Sequence, residues 1–141
     1  MCVVGLSGYQ RTTGAVHLLG FHVVWCPKYR KRVLVGAVAA RLRELLEAKA
    51  LEQGWTVEAL ELMPDHVHVF VRVPPNVSPS YIANQFKGNT SRFLRAEFPH
   101  LRRLMGTLWS KSYFVASVGR VSESTILKYI DEQTTSTKLK R

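Results

Sequence analysis

The 141-residue chain contains little cysteine, few acidic residues and no long apolar run, and each shortage excludes a class of protein. Its two cysteines, Cys2 and Cys26, form neither a CxxC motif nor a disulfide framework, so both are expected to be reduced thiols. No apolar run is long enough to span a bilayer, and the N-terminus lacks the basic start and apolar stretch of a signal peptide. These absences favour a cytoplasmic protein without a membrane segment.

The charge of the chain is strongly one-sided. Twenty Lys and Arg residues against ten Asp and Glu residues give a formal net charge of +10. Such a surplus indicates a polyanionic partner, and nucleic acid is favoured over an anionic membrane. Neither an internal repeat nor a low-complexity linker divides the sequence, so residues 1–141 are predicted to form a single domain.

The pattern of apolar residues predicts a β-α-β-β-α-β order followed by one more helix. Residues 1–13 are polar and glycine-bearing, and we expect a loose N-terminal arm there. The predicted strands are 16–26, 55–63, 66–73 and 113–118, and the predicted helices are 38–53, 78–97 and a C-terminal helix within 120–136. This order is that of a ferredoxin-like α+β fold, an antiparallel sheet with two helices on one face.

Two histidines separated by one valine stand out in the third predicted strand. Alternate side chains of a strand share a face, so His66 and His68 point the same way while Val67 points into the core. Two neutral imidazoles side by side form a chelate for a divalent metal such as Mg²⁺ or Mn²⁺. The alternative is a pair of partly exposed strand histidines without a ligand.

A tyrosine and a glutamine share one face of the C-terminal helix. Tyr129 and Gln133 are one turn apart, so a phenol nucleophile and an amide ligand could meet the two histidines. Tyr81 and Gln85 repeat the same spacing on the second helix, and spacing alone does not choose between the pairs. Asp65 precedes the histidines, but its position after Pro64 favours a turn residue over a metal ligand.

Five segments resemble the small single-tyrosine transposases of bacterial insertion sequences, members of the His-hydrophobic-His (HUH) nuclease superfamily. The resemblance covers roughly residues 15 to 135 and rests on WCPKYR (25–30), MPDHVH (63–68), QFKG (85–88), LWSKSYF (108–114) and YIDEQ (129–133). It implies that Tyr129 is the nucleophile and that His66, His68 and Gln133 bind the metal. It also implies cutting and rejoining of single-stranded DNA through a 5′-phosphotyrosine, binding of hairpins near element ends, and a homodimer with shared active sites. Gly119 is a plausible hinge for the exchanged helix.

The basic residues fit a DNA-binding role. Tyr29 lies in a basic loop, where an aromatic ring can stack on a base. The candidate DNA contacts are Lys28, Tyr29, Arg30, Lys31, Arg32, Lys87, Arg92 and Arg95. Trp109 and Tyr113 could also stack on bases, although a buried position is favoured for Trp109.

Three other functions fit parts of the pattern. A domesticated relative acting on chromosomal repeats would share all of this chemistry. A non-catalytic ferredoxin-like module that binds nucleic acid would need neither Tyr129 nor the histidines. A metal hydrolase without a covalent step would cleave DNA even after loss of Tyr129.

Overall fold

A computed structural model describes residues 11–12, 15–16, 18–104, 106–117 and 128–133. The strands are β1 (Arg11–Thr12), β2 (Ala15–Val16), β3 (Leu19–Trp25), β4 (Thr56–Met63), β5 (His66–Val73) and β6 (Phe114–Ser117). The helices are α1 (Gly36–Gln53), α2 (Pro79–Glu97), α3 (Pro99–Leu104) and a helical segment at 128–133, here called α4. Residues 1–10 of the predicted arm, the predicted hinge at Gly119 and the rest of the C-terminal helix lie outside the described residues.

Four strands form one antiparallel sheet in the order β4-β5-β3-β6. The first and third of these strands in the chain, β3 and β5, are therefore the central neighbours. This is the strand order of the ferredoxin-like arrangement, and it confirms the predicted α+β fold. As a result, β5, which carries both histidines of the His-x-His motif, lies inside the sheet.

The main core lies between the sheet and the two long helices. Residues of β5 alternate between half-buried and fully buried, and Val67, Val69 and Val71 are completely buried. They pack with Leu42 of α1 and Phe86 of α2 in one hydrophobic cluster. The predicted inward orientation of the valines is confirmed, which leaves the histidines on the opposite face of the sheet.

The ends of the long helices follow local rules. Gly54 closes α1 with a left-handed backbone at φ 80°, a conformation that glycine adopts without the steric cost of a Cβ atom. Ser78 caps α2, because its hydroxyl accepts a hydrogen bond from the Tyr81 amide at 3.1 Å. Both ends agree with the predicted boundaries.

Two predicted segments differ from the structure. The strand predicted from residue 16 to residue 26 is divided, because β2 pairs with β1 in a small ladder and β3 begins only at Leu19. The loop predicted after α2 contains α3, which starts at Pro99. Phe98 has an extended backbone, as residues before proline prefer, and proline is tolerated in the first turn of a new helix. Among the described helices, none has the length and apolar character required to cross a bilayer.

Candidate active site

The two histidines lie on the face of the sheet against which α4 packs. Val24 of β3 lies opposite His68 on one side and opposite Phe114 of β6 on the other. Residues directly opposite in an antiparallel ladder point to the same face, so the three side chains form a row across three strands. Ile130 of α4 packs against Val24 and Cys26 in a second, smaller hydrophobic cluster. The histidines and the C-terminal helix therefore lie on one side of the sheet.

His66 is oriented by the neighbouring turn residue. Its Nδ1 lies 3.0 Å from Asp65 Oδ1, and the other carboxylate oxygen accepts from Arg30 Nε at 2.7 Å. Burial opposes ionisation of Asp65, but hydrogen bonds from Arg30 and His66 hold the pKa of its carboxyl group below the usual value. A carboxylate on one ring nitrogen leaves Nε2 as the ligand nitrogen, as is common for metal-binding histidines. Asp65 lies in the turn as predicted, and its contact with His66 was not foreseen.

His68 has a partner at each ring nitrogen. Nδ1 lies 3.3 Å from Glu61 Oε1, and Nε2 lies 3.0 Å from Nδ1 of His22 on β3. Desolvation by burial lowers the pKa of both His22 and His68, with smaller contributions from nearby charged groups. Both rings are therefore favoured in the neutral form, which is the form that binds metals. To bind a metal, His68 must give up one of its present partners.

The two candidate residues of α4 converge on one hydroxyl group. Ser112 Oγ donates to Gln133 Oε1 in a short hydrogen bond and lies 3.1 Å from the Tyr129 hydroxyl. A serine hydroxyl has one hydrogen, so the phenol of Tyr129 donates to Ser112. The predicted one-turn spacing does place Tyr129 and Gln133 on one face, and Ser112 is the residue that joins them.

The aromatic ring of Tyr129 packs on the sheet. It lies 5.5 Å from the Phe114 ring, centroid to centroid, beside the buried Ile130. Burial is the largest of the effects that raise the pKa of Tyr129 to about 12. The phenol is thus protonated at neutral pH. It becomes a nucleophile only if its proton leaves as the new bond forms.

The remaining buried nucleophile on this face is unreactive. Cys26 lies under Ile130 and is completely buried. Burial is the largest of the effects that raise the pKa of its thiol to about 12. A thiol reacts as the thiolate, so Cys26 has a packing role.

The donor set fits a divalent metal in part. Two imidazoles on one strand face, one of them oriented by a carboxylate, suit such an ion. In the described part of the chain, no group of three or more His, Cys, Asp or Glu residues is close enough to hold a metal. A complete site would therefore need the Gln133 amide oxygen, which Ser112 now occupies, together with water or substrate oxygens.

Tyr129 lies over the strands next to the one that carries the histidines. His68 and Phe114 stand two strands apart at the same level, which corresponds to roughly 10 Å between their Cα atoms. Tyr129 packs against Phe114 and against the cluster of Val24, Cys26 and Ile130.

Lys87 fixes the segment that carries Ser112. Its ammonium donates to three consecutive carbonyl oxygens at 2.8, 3.2 and 3.1 Å, those of Ser110, Lys111 and Ser112. Burial lowers the pKa of Lys87 to about 8. Lys87 is also one of the predicted DNA contacts, and in the structure its ammonium has these three partners within the protein.

The basic loop after β3 has an unusual backbone. Tyr29 and Arg30 both have positive φ angles, 61° and 53°, in a 3₁₀ turn at Lys28–Arg30. A non-glycine residue in this region costs on the order of 1–3 kcal/mol, and such strain clusters at functional sites. The turn is held by the Lys28 amide, which donates to the Leu108 carbonyl at 2.9 Å. This backbone aims the Arg30 side chain at Asp65.

The other predicted DNA contacts lie in different environments. Lys31, Arg32 and Arg92 are exposed, and Arg95 is half-buried. The Lys28 ammonium lies 5.6 Å from the centre of the Tyr29 ring. Trp109 is buried and donates through Nε1 to Thr90 Oγ1 at 3.0 Å, which confirms the predicted core position.

The alternative Tyr81–Gln85 pair lies on the other side of the sheet. Tyr81 packs edge-on against the core residue Trp55, and its hydroxyl donates to Gln53 Oε1 at 3.3 Å. Gln53 also donates to Gln85 at 3.3 Å. The sheet therefore separates this pair from the histidines.

Comparisons with known proteins show which family the chain is similar to. The family model described as "Transposase IS200 like" matches residues 15–133. The ISDra2 transposase TnpA of Deinococcus radiodurans is 36% identical over 126 residues, covering 88% of this chain and 90% of that protein. The transposase for insertion sequence element IS200 of Salmonella typhimurium is 33% identical over 119 residues, covering 80% of this chain and 75% of that protein.

Solved structures give the same result. The crystal structure of a transposase from Deinococcus radiodurans R1 has a TM-score of 0.82 and 35% identity, covering 88% of this chain and 97% of that one. A REP-associated tyrosine transposase bound to a REP hairpin has a TM-score of 0.55 at 14% identity, covering 89% and 69%, a likeness of fold alone. The match over residues 15–133 and the identity to two transposases establish that the chain belongs to the IS200-like transposase family.

Proposed function

We propose that this transposase cuts and rejoins single-stranded DNA at the ends of an insertion sequence through a covalent bond to Tyr129. A divalent metal, Mg²⁺ or Mn²⁺, would be held by His66, His68 and Gln133 in the manner of an HUH nuclease. The observation that carries the proposal is the docking of α4, with Tyr129 and Gln133 on one hydroxyl, against the sheet face that bears both histidines.

The covalent step is a transesterification. Tyr129 Oη attacks the phosphorus of a phosphodiester and forms an O–P bond, while the bond from phosphorus to the 3′ oxygen breaks. The 3′ oxygen keeps the bonding electrons, takes a proton and leaves as a free 3′-hydroxyl. The phenol proton departs to solvent water during the attack, and the hydrogen bond from Tyr129 to Ser112 Oγ orients the phenol before that step. A second 3′-hydroxyl can reverse the step, so DNA is rejoined without ATP.

The metal would be bound by neutral ligands. The lowered pKa of His68 and the contact of His66 Nδ1 with Asp65 both favour neutral imidazoles with a defined ligand nitrogen. Once bound, a divalent ion would polarise a phosphoryl oxygen and stabilise the leaving oxygen. Gln133 would join the ligand set after exchanging its hydrogen bond from Ser112.

The substrate is proposed to be hairpin-forming single-stranded DNA. The formal net charge of +10 supports a polyanionic substrate. The REP-associated transposase with the same fold is bound to a REP hairpin, which makes a hairpin the first substrate to test. The direct test is to incubate the protein with labelled single-stranded element ends and Mg²⁺. A protein–DNA adduct that resists denaturant is expected, and its absence with every end sequence would refute the proposal.

Binding is predicted to be largely electrostatic, with exposed charges of the basic loop contributing. For single strands, log K falls with log salt by about 0.7 per neutralised phosphate. Replacing both Lys31 and Arg32 with glutamine should therefore make the slope shallower by up to about 1.4. The measurement is fluorescence anisotropy of a labelled hairpin at several salt concentrations. Arg43→Gln, at an exposed position on α1, is the control, and an unchanged slope in the loop variant would show that this loop does not contact DNA.

A dimer with shared active sites gives a distinctive prediction. Two inactive variants, Tyr129→Phe and His66→Ala, are mixed under conditions that exchange subunits. If each site combines histidines of one chain with the tyrosine of the other, a mixed dimer has one intact site. Random mixing then restores about a quarter of wild-type cleavage. If each chain builds its own site, mixing restores nothing, provided that independent labels confirm the exchange.

A further inference from the structure

Arg30 lies between the two halves of the proposed active site. On the histidine side, its Nε donates to Asp65 Oδ2 at 2.7 Å, and Asp65 contacts His66 at 3.0 Å. On the helix side, its Nη1 donates to the Ile130 carbonyl oxygen at 3.3 Å and to Asp131 Oδ1 at 3.1 Å. A continuous series of polar contacts therefore runs from the imidazole of His66 to the helix that carries Tyr129.

The shape of the arginine side chain explains how one residue reaches both sides. Its planar guanidinium presents several N–H donors in a fixed fork, whereas a lysine ammonium is a compact point charge. Hydrogen bonds to Asp65, Asp131 and the Ile130 carbonyl oxygen hold the fork in place. The Arg30 side chain is only 24% exposed and Asp65 only 11%, so this contact is protected from solvent, while Asp131 is 77% exposed.

We propose that Arg30 is a positioning residue with two roles, one in the orientation of the metal ligand His66 and one in the docking of α4. The inference rests on the proposed function, because it assigns a role within that site. It also departs from the simpler interpretation of the basic loop. A guanidinium with three partners inside the protein serves the geometry of the site, whereas Lys31 and Arg32 remain exposed and available to DNA.

The histidine side is tested by metal affinity. Mn²⁺ binding is measured from the electron paramagnetic resonance signal of the free ion, without DNA. Asp65→Asn and Arg30→Gln are both expected to weaken Mn²⁺ binding by about 10- to 100-fold, the usual effect of losing a residue that orients a metal-binding histidine. Asp131→Asn should leave Mn²⁺ affinity unchanged, because it breaks only the contact with α4.

The helix side is tested by hydrogen exchange, read by mass spectrometry on a peptide that covers residues 128–133. Asp131→Asn is expected to speed exchange by about 2- to 5-fold, the range for one exposed ion pair. Arg30→Gln should speed exchange further, because the Ile130 carbonyl also loses its donor. Glu132→Gln is the matched control, since it removes an exposed carboxylate from the same turn. Arg30→Lys keeps the positive charge. It should restore either the Mn²⁺ affinity or the slow hydrogen exchange of α4, but not both.

The outcomes separate this inference from the proposed function. Two-sided effects of Arg30→Gln, with one-sided effects of Asp65→Asn and Asp131→Asn, support the two roles of Arg30. If Arg30→Gln fails to fold, the aspartate variants decide, because unchanged Mn²⁺ affinity in Asp65→Asn or unchanged exchange in Asp131→Asn overturns the inference. A folded Arg30→Gln with unchanged Mn²⁺ affinity and exchange overturns the inference. So does a fall of about 0.7 in its salt slope for DNA with intact Mn²⁺ affinity, which would make Arg30 a phosphate contact. Absence of a wild-type adduct contradicts the proposed function alone, since neither measurement involves cleavage.

Discussion

Replacing Tyr129 with phenylalanine is expected to abolish the covalent protein–DNA adduct while DNA binding persists. The substitution removes the attacking oxygen and keeps the ring that packs on Phe114. The Cys26 thiol on the same face of the sheet is not expected to replace it as the nucleophile, because burial raises the pKa of that thiol to about 12. The measurement is adduct yield on a denaturing gel with labelled single-stranded element ends, together with anisotropy for affinity.

Tyr81→Phe is the matched control for this experiment. It removes a phenol at the same spacing from a glutamine, but on the side of the sheet away from the histidines. This variant should form the adduct normally. Recovery of an adduct from Tyr129→Phe, or mapping of the wild-type adduct to Tyr81, would overturn the assignment. Cleavage that continues without any adduct would instead favour a metal hydrolase without a covalent step.

Loss of the metal ligands is expected to have a comparably large effect. A metal ion contributes several kcal/mol of charge stabilisation in phosphoryl chemistry, so His66→Ala or His68→Ala should slow cleavage by about 10²- to 10⁴-fold. A chelator should do the same to the wild-type protein, and added Mg²⁺ or Mn²⁺ should reverse it. Mn²⁺ titration of the same variants checks that the loss reflects metal binding.

Gln133→Ala should have a smaller effect than either histidine variant. Water can replace a neutral amide oxygen around a hard cation. The exposed His100 on α3 provides the matched control, and His100→Ala should retain both cleavage and Mn²⁺ affinity. Full activity of the wild-type protein in chelator would remove the metal from the mechanism. A protein in which Tyr129 and both histidines can be changed without loss of function would be a binding module.

The role of each histidine depends on contacts that spacing does not reveal. The alternation in His66–Val73 predicts that both imidazoles share a face, because a strand has a period of two residues. It does not predict that His68 contacts His22 and Glu61, since these partners are 46 and 7 residues away along the chain. The pairing register of β3, β4 and β5 creates these contacts.

Local features of this transposase follow from its amino-acid sequence alone. Periodicity of 2 and 3.6 residues predicts the valine side of β5 and the shared face of Tyr129 and Gln133, and glycine and serine predict the ends of α1 and α2. The division of the first strand and the start of α3 were not predicted, because they depend on strand pairing and on the backbone around Pro99. The features that were predicted correctly arise from residues close together in the chain, because backbone geometry alone sets the relative positions of such residues.

Which of these features come into contact depends on how the strands and helices pack together. The pairs Tyr81–Gln85 and Tyr129–Gln133 have the same spacing in the sequence. In the structure they lie on opposite faces of the sheet, because α2 packs on one face and α4 on the other. Ser112 has no sequence signal of its own, yet it joins Tyr129 to Gln133 once β6 and α4 pack together. Arg30 belongs to a basic run that predicts DNA contact, and folding brings Asp65 and Asp131 to it. The physical reason is that a side chain's role follows from its partners, and packing across the sheet selects partners far apart in the chain.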